Sequence, residues 1–132
     1  NVLKKEPVEK EPYKIIPRKG QFAVFAKTNT RALKEQDDAN PTHLNHIIEP
    51  VATDFTKGVI VWETIHGNVI VGPTAEPQDS KTDRSTNIET LHSLAKWGYA
   101  ACPMLASEKD WKLIGSYACL RPATQYRDYQ IK

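Results

Sequence analysis

The stretch Gly58–Glu76, GVIVWETIHGNVIVGPTAE, constrains the fold more than any other part of the chain. Two apolar runs, Val59–Trp62 and Val69–Val71, flank a short break at Ile65–Asn68. Val, Ile and Trp fit the pleated, half-buried surface of a strand. His66-Gly67-Asn68 supplies residues that tolerate the positive φ of a tight hairpin. Gly72-Pro73 ends the second strand, because proline has no N–H to donate to a ladder. Successive positions are apolar, not only alternate ones, which predicts a central hairpin covered on both faces with the other segments packed around it.

The chain has 132 residues, a size that buries one core. Its formal net charge of +2, with acids and bases interspersed, argues against a nucleic-acid partner. No apolar stretch approaches the ~20 residues of a membrane-spanning helix, and the Lys/Glu/Pro-rich start, with no apolar h-region, is not expected to be a signal peptide. Cys102 and Cys119 do not make a disulfide framework and read as small buried hydrophobes. This cysteine usage points to an intracellular, reduced setting, with cytoplasmic or mitochondrial left undetermined. The abrupt start and stop suggest a piece of a longer protein.

Residues 1–12, with charge alternating around proline, read as a flexible leader or linker. Arg18-Lys19-Gly20 is expected as a turn and Gln21–Lys27 as a strand. Thr28–Pro41 is polar and reads as a loop, and His43–Val51 as a second strand. Glu76–Arg84 is expected as a charged loop. The period then changes: Ile88, Leu91, Leu94 and Ala95 share one helical face, Thr86 and Glu89 form a capping box, and Gly98 and Pro103 mark the end. After a loop at Ala106–Asp110, Leu113–Leu120 reads as a further strand, and Tyr129–Lys132 as the opening of another. Strands clustered before a single principal helix predict an α+β fold with a mainly antiparallel sheet.

The chain contains neither G-x-G-x-x-G nor a Walker-type loop to cradle a phosphate. His43 and His46, near Asp37 and Asp38, are three apart and would face opposite sides of a strand, so no metal site is expected. Ser116, His66 and Asp83 make a triad on paper only, without a nucleophile elbow. Arg121 follows an apolar strand and precedes the stiff Pro122; its fork is suited to a carboxylate or phosphate, or to a structural ion pair with Asp128 or a glutamate. His66 is either a turn residue or, at a cleft, a proton-transfer group.

Pro17–Phe22 (PRKGQF), Lys57–Val61, Thr64–Glu76 (TIHGNVIVGPTAE), Leu120-Arg121-Pro122 and Asp128-Tyr129, in that order and spacing, resemble the FAD-dependent oxidoreductases of the D-amino acid oxidase type. Within that family they are most similar to the branch called glycerol-3-phosphate dehydrogenase-like, which borders the 2-hydroxyglutarate dehydrogenases. The resemblance implies that residues 13–132 are a substrate-binding (cap) domain that lacks the FAD-binding Rossmann part, which lies elsewhere in the full protein. It implies FAD as the cofactor of the full-length protein, bound only weakly by this chain alone, and hydride transfer to flavin from a small anionic alcohol, glycerol 3-phosphate first. A 2-hydroxy acid or D-amino acid substrate is the alternative, and a non-catalytic binding or scaffold domain the other. Arg121 is implied as the ligand of the substrate anion, with His66 as a second substrate-binding candidate. The catalytic residues are left unassigned. The implied partners are the anionic substrate and the remainder of the same chain.

Overall fold

A computed structural model of the protein describes residues 14–27, 44, 46–53, 57–103 and 111–126. Strand β1 (Ile15–Lys27) is the axis of the sheet. Strand β2 (Ile60–Glu63), β3 (Val69–Gly72), the two-residue β4 (Glu76–Pro77), helix α1 (Ile88–Ala101) and β5 (Trp111–Thr124) follow in chain order. Antiparallel to β1, β5 lines one edge along its whole length, with Ile15 opposite Thr124 and Arg18 opposite Arg121. The other edge is shared: β3 pairs with Ala23–Phe25, and β4 with Arg18 and Lys19. On the far side of β3 lies β2, bridged once more by Ile48 to Val61. The described residues therefore form a mainly antiparallel sheet with one helix, as the strand and helix periodicities imply.

Strand alternation places Lys19, Gln21, Ala23 and Phe25 on one face of β1, and all four are buried. Helix α1 covers this face. Its Leu91 and Leu94 join Ala23, Phe25, Val61, Val69 and Val71 in the core, each large apolar side chain contributing about 1.5–3 kcal/mol by leaving water. The opposite face carries Phe22, Val24, Trp62, Ile70 and Tyr117. Phe22 stacks on Tyr117 at 4.6 Å between ring centres and meets Trp62 edge-on at 6.2 Å.

Several expectations need correction. The hairpin of β2 and β3 exists, but it lies to one side of the sheet, and β1 takes the central place. Its two-sided apolar pattern has a different cause: Val61, Val69 and Val71 face the helix, while Trp62 and Ile70 join the aromatic row on the other side. Arg18-Lys19-Gly20 is not a turn but part of β1, since β4 and β5 satisfy its backbone on both edges. Of the strand expected at His43–Val51, the described residues keep a single bridge at Ile48. The loop expected from Glu76 begins instead with β4, and Arg121-Pro122 lies inside β5.

Helix α1 starts one residue later than the capping box implies. Asn87 is the N-cap, its Oδ1 accepting from Thr90 N at 2.7 Å. The Thr86 hydroxyl lies instead 2.9 Å from that of Ser116. The helix also runs through Gly98, because that residue is buried on the same face as Leu94, and it closes with Cys102 N donating to Gly98 O at 3.0 Å. Cys102 is buried and Cys119 exposed; both are free thiols, so the buried reading fails for Cys119, which faces away from α1 opposite Gly20. The expected leader, the Thr28–Pro41 loop, His43, the Ala106–Asp110 loop and Tyr129–Lys132 lie outside the described residues. No helix among the described residues is long and apolar enough to cross a membrane.

Candidate anion site on the open sheet face

Arg121 leaves β5 on the face turned away from α1. The next residue across the ladder on that face is Arg18, and two residues along β1 is Gly20. Glycine leaves the surface of β1 bare there, and the Arg121 side chain lies across it. Its Nη2 donates to the main-chain oxygen of Thr74, on the far side of β1, at 2.8 Å. A Cβ on Gly20 would come within 2.9 Å of Pro73 Cβ, 3.3 Å of Thr74 O and 3.7 Å of Nη2. The bare position thus serves both the loop and the guanidinium. A guanidinium has five N–H donors in a planar fork, and among the described residues the exposed Arg121 fork is tethered to Thr74 O.

The carbonyl that tethers Arg121 belongs to Gly72–Ala75, where the chain passes from β3 to β4 along one edge of β1. Gly72 has φ 149°, and a Cβ there would sit 2.7 Å from both Gln21 O and a Phe22 ring carbon, so only glycine fits this close approach. Beyond it, Thr74 N donates to Gln21 O at 3.1 Å, and Gln21 N donates to Thr74 Oγ1 at 3.0 Å. The Thr74 hydroxyl in turn donates to Glu76 Oε1. Gln21, fully buried, donates from Nε2 to both Glu76 oxygens at 3.0 and 3.1 Å and accepts from Asn87 N at 3.0 Å. One side chain thus ties the start of α1 to the loop under Arg121.

Lys19 does the same one turn of the pleat away. Its buried Nζ donates to Asp83 Oδ2 at 2.8 Å and to Ser85 O at 3.0 Å. Asp83 also accepts from Ser85 N at 2.9 Å. The Lys19 ammonium first, and then Ser85, hold the Asp83 carboxyl well below the usual carboxylate range. Partial burial pushes the Tyr117 phenol up, and the neighbouring Cys119 adds to it.

The other candidates are scattered. His66 is exposed at the tip of the β2–β3 turn, where Thr64 N donates to Asn68 O, Gly67 N donates to Thr64 O, and Gly67 takes φ 80°. That turn projects beyond the Phe25 level of β1, whereas Arg121 stands at the Arg18 level. Seven residues of strand separate the two levels, roughly 23 Å, so His66 and Arg121 do not share one small ligand. Ser116, His66 and Asp83 do not meet: Ser116 contacts Thr86, and Asp83 contacts Lys19. Among the described residues no cluster of His, Cys, Asp or Glu is arranged to hold a metal.

Sequence reasoning passed over Gly20, Gln21 and Thr74. The available signal was the alternation Lys19, Gln21, Ala23, Phe25, which continues the inward face of β1 through two polar residues. The N-terminus of α1, where a dinucleotide cradle would bind pyrophosphate, is already capped by Asn87 and tied to Gln21. The sequence also contains no G-x-G-x-x-G fingerprint of the kind such a cradle uses.

Comparison with known proteins adds the following. A family model described as FAD dependent oxidoreductase matches residues 2–131. The chain is 29% identical over 125 residues to a glycerol 3-phosphate dehydrogenase of Caloramator mitchellensis, covering 95% of this chain and 23% of that one. It is 32% identical over 115 residues to a glycerol 3-phosphate oxidase of Mycoplasma genitalium, covering 86% and 27%. Among solved structures, L-alpha-glycerophosphate oxidase from Mycoplasma pneumoniae, reduced with dithionite and with FAD bound, superposes with a TM-score of 0.64 at 29% identity, covering 87% of this chain and 27% of that one. Glycine oxidase from Bacillus cereus, at 18% identity and a TM-score of 0.58, shares the fold over 85% of this chain and 24% of its own. The chain spans about a quarter of the length of these relatives.

Proposed function

Because the chain belongs to the FAD dependent oxidoreductase family, we propose that it is the substrate-binding (cap) part of a flavin-dependent oxidoreductase that oxidises a small anionic alcohol, glycerol 3-phosphate first among candidates. The observation that carries this reading is the exposed guanidinium of Arg121, laid across Gly20 and tethered at one corner to Thr74 O. Arg18 stands opposite it in the ladder and adds positive charge to this end of the sheet. A phosphate or carboxylate accepts two parallel bonds from such a fork. The names of the two curated relatives support phosphate.

In this proposal FAD supplies the hydride acceptor and is carried by the remainder of the full-length protein. The contribution of this chain is orientation. Arg121 fixes the anionic end, and the aromatic row of Trp62, Phe22 and Tyr117 on the same face excludes water beside it. His66 is left out of the anion site by its distance from Arg121.

The test is a dye-reduction screen on the full-length protein, with its absorbance recorded in the flavin bands. Flavin absorbance and fastest reduction with glycerol 3-phosphate are expected. Faster reduction with 2-hydroxyglutarate or a D-amino acid would move the substrate assignment. Absence of both flavin and dye reduction would leave a binding or scaffold domain in its place.

A further inference from the structure

We propose that Thr74 and Gly20 are positioning residues for the substrate anion, acting through Arg121; this rests on the function proposed above. A lone arginine on a sheet face samples many rotamers, and ordering it costs binding energy. Here the side chain is strapped across β1. The strap has two parts with separate causes. Gly20 leaves the strand surface open, so the guanidinium reaches over it to the other edge. Thr74 presents its carbonyl at the far side, 2.8 Å from Nη2.

That carbonyl is not placed by chance packing. Thr74 is fixed by a reciprocal pair of bonds with the Gln21 backbone, N to O at 3.1 Å and N to Oγ1 at 3.0 Å, and its hydroxyl also reaches Glu76. Removing the hydroxyl deprives Gln21 N of its acceptor and Glu76 of a donor, which frees the Gly72–Ala75 segment to shift. The carbonyl then no longer sets the plane of the fork. The direction of the remaining Arg121 donors, and with it the seat of the anion, is decided by a hydroxyl that never meets the ligand.

The experiment uses the full-length, flavin-loaded protein with glycerol 3-phosphate. Thr74→Val keeps the shape and removes the hydroxyl; Thr74→Ser restores it. Gly20→Ala disturbs the same carbonyl and guanidinium sterically. We expect Thr74→Val and Gly20→Ala each to raise KM about tenfold with kcat and flavin content held, and Thr74→Ser to return KM to near the wild-type value. Arg121→Ala is measured alongside. If it raises KM while Thr74→Val and Gly20→Ala do not, the strap is overturned and the anion site stands. If Arg121→Ala leaves KM unchanged, the function proposal itself falls. Loss of flavin from both Thr74→Val and Gly20→Ala, or failure of Thr74→Ser to restore KM, makes the strap a stability element and overturns the inference.

Discussion

Between Ala23 and Phe25, β1 is held by apolar contact; between Arg18 and Gln21 it is held by directed hydrogen bonds. The first region meets Val61, Val69, Val71, Leu91 and Leu94, with no buried polar group among them. The second buries Lys19 and Gln21 and spends their donors on Asp83, Ser85 and Glu76. Apolar packing is strong and non-directional, so it fixes that β1, the hairpin and α1 come together but tolerates small displacements. Hydrogen bonds to charged groups are steep in distance and angle, so they fix where the Gly72–Asn87 segment runs. The candidate site sits at the second end, where a fraction of an ångström matters to a guanidinium.

This contrast can be broken by substitution. The largest effect is expected at the apolar end: Leu94→Ala should cost about 2–5 kcal/mol in chemical unfolding, and the folded fraction should keep its KM. A smaller loss, about 1–3 kcal/mol, is expected for Gln21→Leu, which strands Asn87 N–H and removes a donor from the Glu76 carboxylate; unlike Leu94→Ala it should also raise KM. If both variants changed stability alone, the polar end would have no special claim on the site.

The smallest effect depends on pH. The Asp83 carboxyl is held below its ordinary value in the folded state, so its contribution is present in full above the unfolded value, about 3.9, and fades as pH falls from there toward the folded one. Thermal unfolding of wild type and Asp83→Asn should therefore differ at pH 6 and converge as the pH is lowered through 3. A constant gap would mean that the Lys19–Asp83 pair is not the source.

The apolar end was the legible one. Strand-forming runs at Gln21–Lys27 and in the hairpin, and the helical spacing of Leu91 and Leu94, all follow from side-chain periodicity, which is local. The polar end was not, because its logic is long-range. Pro17 and Gly20 look like turn formers until β4 and β5 supply partners on both sides. Lys19 reads as a turn residue and Gln21 as the first residue of a strand until the segment from Pro73 to Asn87 supplies their partners. An apolar run also reads the same whether a helix or a neighbouring aromatic row covers its second face, so periodicity could not tell a central hairpin from a flanking one. Arg121 was visible as a chemical candidate through its position before Pro122; what the sequence could not reveal is that a bare glycine on the neighbouring strand lets it lie flat.

The proposed anion clamp at the polar end of β1 is Arg121. Its most direct test is the KM for glycerol 3-phosphate of full-length Arg121→Ala set against His66→Ala, which alters the exposed hairpin tip roughly 23 Å away. Arg121→Ala should raise KM by about a hundredfold, the loss of a charge-assisted pair, and His66→Ala should leave it unchanged. An unchanged KM in Arg121→Ala, or a large rise in His66→Ala alone, would contradict it.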